Sequence, residues 1–402
     1  MTVDFAALVT ETARRLATAG PVTARPTSLF RGHPGIAMLF GELGRADEQW
    51  LPVAHRHLAG AVAALDGAPA SGLYEGPAAV LAAAQTCAAG TGRYRGLRER
   101  LTAYAEAAQA HRLTRRAPGP GVSCADYDVV NGVTGLGRVL LDAGADIRPT
   151  LDALVRLTRP VEVRGRRVPG WWVPADRQPA AGTRREWPGG SADAGMAHGV
   201  AGVLAFLALA AERGRLVPGQ RDAMYRIAGW LGEVAGEDAA GPYFPARAGV
   251  AGEPPVPAKS AWCYGAPGVA VALHRAGSVL GEPTWQRLAA ESLRAVSRRP
   301  EADWHLDGPT VCHGYAGLLR ALFRVGTAAG DPDLLAVAGR VALRVAACAD
   351  ETAEFLFRHH EAGSSVDSAG LVEGAAGVAC ALLPFAGYEV PGPSWDRVLL
   401  FS

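Results

Sequence analysis

The chain has 402 residues, with 40 basic and 39 acidic side chains. This balance argues against nucleic acid or an anionic membrane surface as the main partner, and the length allows either two or three ordinary domains or one large domain built from repeats. Six cysteines are too few for a disulfide framework, and no apolar run is long enough to predict a membrane span or a signal peptide. We therefore expect a reduced, cytoplasmic protein.

A Gly-x-x-Gly frame recurs along the chain, and an apolar run follows each copy. The complete copies begin at Gly32, Gly132, Gly199, Gly265, Gly314 and Gly374, and a degenerate copy begins at Gly76. Because a helix that is apolar on every side must be surrounded by protein, these seven runs predict inner helices. Each run then reaches a glycine that predicts the end of its helix. These glycines are Gly44, Gly90, Gly144, Gly214, Gly277, Gly326 and Gly387.

Segments with one polar and one apolar face alternate with the inner helices and predict seven outer helices. They span roughly residues 4–19, 50–65, 94–114, 147–158, 219–235, 284–298 and 332–347. Seven outer-inner pairs can bury their apolar faces by closing into a ring. We therefore predict an all-α protein, with residues 1–402 forming a single α/α toroid (double α-barrel) whose inner helices all begin at one end of a central cavity. There the glycines would permit close approach of the backbones, and the residues just before each frame would line the cavity.

Two stretches interrupt the helical pattern. Residues 159–192 predict an insertion that contains a small hairpin around Gly165 and a loop rich in proline and glycine. Its arginines and tryptophans allow two interpretations, a basic aromatic surface that binds peptide or a packed loop at the mouth of the toroid. These side chains are Arg164, Arg166, Arg167, Arg184, Arg185, Trp171, Trp172 and Trp187. Residues 236–258 predict a second long loop, which leads to Cys263.

Metal-ligand side chains immediately precede two of the frames. Cys263 comes just before Gly265, and Cys312 and His313 come just before Gly314, so equivalent turns of two repeats carry them. A Cys-His dipeptide alone is more often a buried thiol beside a surface histidine, but the second cysteine at the equivalent turn favours a shared metal. Two thiolates and one imidazole, with a fourth position left open, are typical of catalytic zinc. We predict one Zn²⁺ on Cys263, Cys312 and His313, in a site that fits thiol activation better than hydrolysis by a zinc hydroxide, which stays an alternative.

Three further side chains near the frames are candidates for catalysis. His198 directly precedes Gly199 and is placed to give or take a proton. Asp128 lies four residues before Gly132, where it would orient His198, act as a base or only cap the following helix. Tyr264 follows Cys263 and would either hydrogen-bond an intermediate or simply pack.

Four motifs stand out, which are His198-Gly199-Val200-Ala201-Gly202, Trp262-Cys263-Tyr264-Gly265-Ala266-Pro267-Gly268, Cys312-His313-Gly314-Tyr315-Ala316-Gly317 and Glu373-Gly374-Ala375-Ala376-Gly377. Together they resemble the motifs of the lanthionine synthetase C-like lanthipeptide cyclases, and the resemblance covers essentially the whole chain. The resemblance implies an α/α toroid with zinc on the same three ligands. It also implies that a cysteine thiol of a dehydrated precursor peptide, leader plus core, adds to dehydroalanine or dehydrobutyrine to form a thioether ring.

The resemblance also implies roles for single residues. His198 is the preferred acid for protonating the enolate formed on addition, with Asp128 as its partner, and which of the two moves the proton stays open. Four residues before the first zinc cysteine, where the family commonly has arginine, this chain has Lys259. A lysine there offers substrate or enolate a point charge instead of a bidentate contact.

Three functions fit the sequence. The first is a stand-alone zinc cyclase, which the presence of both His198 and Asp128 favours. The second is a relative that binds zinc and a thiol ligand or peptide without turnover. The third, a zinc prenyltransferase subunit, is disfavoured by the adjacent Cys-His ligands. For a cyclase we expect a complex with a dehydratase and an exporter, which would place the protein at the membrane periphery.

Overall fold

Helices dominate the computed structural model, which describes residues 3–20, 22, 25–66, 72–88, 90–115, 120–249, 255–388 and 394–402. The described residues form sixteen α-helices: α1 (Phe5–Ala17), α2 (His33–Ala46), α3 (Leu51–Ala63), α4 (Pro77–Ala88), α5 (Arg95–Thr114), α6 (Cys124–Tyr127), α7 (Val133–Ala143), α8 (Arg148–Leu157), α9 (Ala181–Glu186), α10 (Val200–Glu212), α11 (Gln220–Val234), α12 (Ala266–Leu280), α13 (Pro283–Arg298), α14 (Tyr315–Ala329), α15 (Pro332–Ala346) and α16 (Ala375–Leu382). The all-α prediction is confirmed.

The predicted inner and outer helices differ in burial as their sequences require. The inner helices are α2, α4, α7, α10, α12, α14 and α16, and each begins within the Gly-x-x-Gly frame. In α10 every residue from Val200 to Ala210 is buried. The outer helices are α1, α3, α5, α8, α11, α13 and α15, and an outer helix such as α13 buries only one face. Within the described residues, no helix combines the length and apolarity that crossing a membrane requires.

The prediction that inner helices end at Gly44, Gly277 and Gly326 is wrong, because these glycines lie inside α2, α12 and α14. A Cβ added at Gly277 would lie only 2.9 Å from Cγ of Gln286, on the following outer helix. The missing side chain therefore allows two helices to pack closely. The helix ends further on, at Gly281, which has the left-handed conformation common after helix C-termini.

Residues 106–305 form one compact unit, called here the central unit. In it α10 packs on α7 and α12, and α12 packs on α13. Seven short strands join these helices: β1 (Val161–Val163), β2 (Arg166–Val168), β3 (Trp172–Val173), β4 (Ser191–Asp193), β5 (Gly236–Asp238), β6 (Gly241–Tyr243) and β7 (Arg247–Ala248). Antiparallel pairs β1-β2 and β5-β6 are hairpins, and β3, β4 and β7 form a three-stranded antiparallel sheet in that order.

Both predicted loops therefore contain more regular structure than their composition indicated. The hairpin predicted around Gly165 is present, as β1 and β2. Trp171 and Trp172 are each only 2% exposed, which favours packing over a peptide-binding surface for these two side chains. The loop predicted over residues 236–258 contains β5, β6 and β7, and residues 250–254 lie outside the described residues.

Residues 1–105 and 306–402 form the other compact unit, called here the terminal unit. In it α2 packs on α3, α4 and α16, and α14 packs on α15 and α16. A hairpin of β8 (Arg358–Glu361) and β9 (Ser364–Asp367) follows α15. The end of the chain is anchored by the buried carboxylate of Asp396, which accepts 2.6 Å hydrogen bonds from the guanidinium groups of Arg320 and Arg324.

Candidate metal centre and acid–base pair

The first glycine of each frame lets the chain turn tightly into an inner helix. Gly314 is the N-cap of α14, and a Cβ there would lie 2.1 Å from the carbonyl oxygen of Gly308. Gly265 is the N-cap of α12, has a φ of 82°, and faces the carbonyl oxygen of Lys259 at the same 2.1 Å. Because no side chain fits in either turn, the residue before each glycine is held in a fixed place at the start of the helix.

The three predicted metal ligands form one cluster. One ligand atom each from Cys263, Cys312 and His313 lies within 4.8 Å of the other two. The Sγ atom of Cys312 is 3.5 Å from Nε2 of His313. Both cysteines are buried, with 3% and 6% exposure, and His313 is half-buried. The structure thus brings together the whole donor set predicted from the sequence.

Main-chain hydrogen bonds fix the loop that carries Cys312 and His313. The N–H of Cys312 donates to the carbonyl of Val372 at 3.0 Å, and the carbonyl of His313 accepts from the N–H of Asp307 at 2.9 Å. In the same loop, the buried hydroxyl of Thr310 is 3.0 Å from Nδ1 of His359, on β8. His359 therefore supports the ligand loop from β8.

The loop that carries His198 is tied directly to Cys263. The carbonyl oxygen of Cys263 accepts hydrogen bonds from the N–H groups of Met196 at 2.9 Å and Ala197 at 3.3 Å. On the other side, the N–H of Val129 donates to the carbonyl of Ala197 at 3.1 Å. The segments containing Asp128, His198 and Cys263 therefore form one hydrogen-bonded network in the central unit.

Asp128 pairs with His198, and its other carboxylate oxygen bonds the main chain just before α7, while action of Asp128 as a base stays a prediction. Its Oδ2 is 2.6 Å from Nδ1 of His198. Its Oδ1 accepts hydrogen bonds from the N–H groups of Asn131 at 2.6 Å and Gly132 at 2.7 Å, at the start of α7. The Asp128 side chain is 1% exposed and that of His198 is 39% exposed, so the carboxylate is fixed while the imidazole reaches solvent-accessible space.

The surroundings of His198 favour its protonated form. Burial acts to lower the pKa of His198, but the hydrogen bond and charge of Asp128, with the charges of Asp193 and Cys263, raise the pKa above the usual 6.5. A histidine of this kind carries a proton at neutral pH more often than a free one does. It is suited to act as a general acid.

Tyr264 lies in a partly buried polar group that the sequence did not reveal. Its hydroxyl donates to Oδ2 of Asp193 at 3.2 Å and accepts from Nη2 of Arg247 at 3.1 Å. The guanidinium of Arg247 also lies over the Tyr264 ring, 5.4 Å from its centroid, and is 3.1 Å from Oδ2 of Asp193. Burial raises the pKa of Tyr264 well above its usual value, so the phenol is neutral. Lys259 is half-buried, and the role predicted for it stays a prediction.

Comparison with known proteins identifies the family and the fold of the chain. The sequence profile of the family described as "Lanthionine synthetase C-like protein" matches residues 23–400. The chain belongs to the lanthionine synthetase C-like family. Among solved structures it is similar to nisin cyclase, with a TM-score of 0.80 and 20% sequence identity, over 99% of this chain and 96% of that chain. Among curated protein sequences, none matches.

Both the family and the fold were predicted from the sequence, and both predictions are confirmed. The structural similarity shows that the lanthionine synthetase C-like chain has the α/α-toroid fold. The sequence did not predict Asp193 and Arg247 as part of the site. Asp193 lies six residues before the frame at Gly199, further from its frame than Asp128, and Arg247 lies in a stretch whose composition predicts a loop.

Proposed function

We propose that this lanthionine synthetase C-like protein is a zinc-dependent lanthipeptide cyclase. It would add cysteine thiols of a dehydrated precursor peptide to dehydroalanine or dehydrobutyrine and so form lanthionine or methyllanthionine rings. The observation that carries the proposal is the clustering of Cys263, Cys312 and His313 within 4.8 Å in a chain of this family. The His198–Asp128 pair supports it by offering an acid within the central unit.

The donor set fits zinc in both chemistry and spacing. Zinc lies about 2.3 Å from sulfur and about 2.0 Å from nitrogen, so a tetrahedral site separates neighbouring sulfur and nitrogen ligands by roughly 3.5 Å. The distance from Cys312 Sγ to His313 Nε2 is 3.5 Å. Three protein ligands leave one position for a substrate sulfur. When bound, zinc would supply the positive charge that keeps a peptide thiol deprotonated at neutral pH.

Thiol addition also requires a proton at carbon, which His198 is proposed to supply. As the new S–C bond forms at the β-carbon, the C=C π electrons move toward the carbonyl and give an enolate. His198 donates a proton to the α-carbon, and the proton lost by the thiol balances the one gained there. Asp128 holds Nδ1 of the imidazole at 2.6 Å, which leaves Nε2 for the transferred proton. The buried carboxylate also stabilises the imidazolium before transfer.

Ring formation is tested by counting thiols. The purified, zinc-loaded protein is incubated with a dehydrated, cysteine-containing precursor peptide, and the product is alkylated and weighed by mass spectrometry. Loss of one alkylatable thiol for each ring is expected. An unchanged thiol count with the cognate peptide would exclude cyclase activity and leave the alternative function, a zinc-binding relative that holds a thiol or peptide without turnover.

The proposed function extends to location and partners. We propose a cytoplasmic protein whose whole chain forms a single domain and which associates with a dehydratase and an exporter. Affinity purification of the tagged protein from cells that make the precursor peptide tests the partners. Recovery of the protein without a dehydratase or an exporter would contradict them.

A further inference from the structure

A short sheet places a largely buried ion pair beside the candidate site. Strands β4 and β7 are antiparallel, and Asp193 lies directly opposite Arg247 in their register. The Asp193 side chain is 1% exposed and the Arg247 side chain 16% exposed. A buried charge pair has to offset the loss of hydration of both ions, so it contributes little stability by itself and requires well-satisfied geometry.

Asp193 contacts the loop that carries His198 in two places. Its Oδ1 accepts a 2.9 Å hydrogen bond from the N–H of Gly195. The same oxygen would lie 2.4 Å from a Cβ at Gly199, the N-cap of α10. The loop from residue 195 to residue 199 therefore rests on this carboxylate.

The same loop packs against Cys263 and Tyr264 on its other side. A Cβ at Gly195 would lie 2.6 Å from the carbonyl oxygen of Cys263 and 2.7 Å from Cδ1 of Tyr264. Displacing Asp193 would therefore move His198 relative to Cys263. The carboxylate thus sets the distance between the proposed acid and a proposed metal ligand.

Hydrogen bonding also restricts what Tyr264 is able to do. A tyrosine has a single O–H donor, and that of Tyr264 is directed to Asp193. Arg247 donates to the remaining face of the hydroxyl. The phenol has no second proton to offer an enolate, so its contacts give it a positioning role. The Nε of Arg247, by contrast, is buried without a hydrogen-bond partner among the described residues.

We propose that Asp193 and Arg247 are a positioning pair for the cyclase reaction, which holds Tyr264 and sets the His198 loop against Cys263. The effect of this pair on catalysis rests on the proposed function, whereas its effect on the position of the His198 loop does not. Arg247 neutralises and orients Asp193, and Asp193 holds the loop. Removal of either partner therefore disturbs the same arrangement.

The test compares Asp193→Asn, Arg247→Met, Arg247→Lys and the double variant Asp193→Asn/Arg247→Met. The matched control is Asp238→Asn, which removes the exposed carboxylate of the Asp238–Arg299 pair in the same unit. Ring formation gives kcat and KM for each zinc-loaded protein. We expect Asp193→Asn and Arg247→Met to lower kcat by about 10- to 100-fold, because small displacements of reacting groups are this costly. KM and zinc content should change little, and the control should behave as wild type.

Three readouts separate positioning from a merely structural role. The double variant should be no slower than the worse single variant, because both substitutions break one unit. Arg247→Lys should have a higher kcat than Arg247→Met, since lysine keeps the positive charge but lacks the planar guanidinium group. Asp193→Asn should also move the pH dependence of kcat/KM to lower pH, because a charge that stabilises the protonated His198 is gone. Unchanged kcat in both single variants would overturn the proposal.

Amide hydrogen exchange tests the pair without any peptide substrate. Asp193→Asn should speed exchange in the segment 194–199, and Asp238→Asn should not. If the wild-type protein forms no thioether with the cognate peptide, the proposed function fails, and exchange in this segment alone decides whether the pair positions the loop. Equal exchange in wild type and Asp193→Asn would overturn the positioning role.

Discussion

Asp128 and His198 lie 70 positions apart in sequence, yet the carboxylate Oδ2 is 2.6 Å from the imidazole Nδ1. Because Oδ1 of Asp128 also accepts the N–H of Gly132, one side chain joins the starts of α7 and α10. The bonds to the main chain hold the carboxylate that His198 contacts. One side chain therefore bonds the start of α7 and orients the imidazole of His198.

Replacing Cys312 by alanine should remove zinc and ring formation together, because only one thiolate and one imidazole would remain. Cobalt substitution followed by its thiolate-to-metal absorption, together with the thiol count, measures both effects. Cys348→Ala is the matched control, since Cys348 is partly exposed and lies outside the cluster. Full zinc content in Cys312→Ala would contradict the ligand assignment.

Replacing His198 by asparagine should leave zinc bound and lower kcat by about 10²- to 10⁴-fold, the usual contribution of a general acid. Metal analysis and single-turnover ring formation measure the two effects separately. Loss of the metal in this variant would show that His198 has been given the wrong role.

The pH dependence of the reaction should follow the His198 proton. Since the pKa of His198 is raised above 6.5, kcat/KM should fall as the pH rises through that higher value. The same shift contributes stability that is present below about pH 6.5 and is lost as the pH rises through the pKa of the folded protein. Asp128→Asn should move the decline of kcat/KM to lower pH, and an unmoved profile would show that another group titrates.

Acid should destabilise the protein through the contact between His57 and His33. Nδ1 of His57 is 3.0 Å from Nδ1 of His33, and burial, followed by the charges of His33 and Arg56, lowers the pKa of His57 to about 4. Between pH 6.5 and about 4 the unfolded chain binds the proton more tightly, so the free energy of unfolding should fall by up to about 3 kcal/mol as the pH decreases. Thermal denaturation across this range should show a smaller pH slope for His57→Gln than for wild type. The control, exposed His55→Gln, should keep the wild-type slope.

A frame glycine should not tolerate a methyl group. A Cβ at Gly202 would lie 2.4 Å from the carbonyl oxygen of Met196, so Gly202→Ala should lower the free energy of unfolding by about 1–3 kcal/mol. Gly229→Ala is the matched control inside α11, where nothing lies within 4 Å of the added atom. It should be neutral or stabilising by up to about 1 kcal/mol. Chemical denaturation of both variants makes the comparison.

Local patterns succeeded where one helix determines its own boundaries. The outer helix predicted over residues 332–347 spans Pro332–Ala346, because its apolar positions repeat with the period of an α-helix. The end predicted at Gly277 failed for a tertiary reason. In the sequence, a glycine that ends a helix looks the same as a glycine against which a neighbouring helix packs. Only the close approach of Gln286 shows that Gly277 is of the second kind.

The sequence by itself determined the helical repeats, the family and the three residues of the Cys263, Cys312 and His313 cluster, since each depends on spacing around a repeated local frame. Only the tertiary structure decided that Asp128 faces His198 and that Asp193 faces Arg247. These pairs form between distant segments, and the strands that carry Asp193 and Arg247 are too short to have a recognisable period. Their register is set by packing around them, which no local pattern encodes.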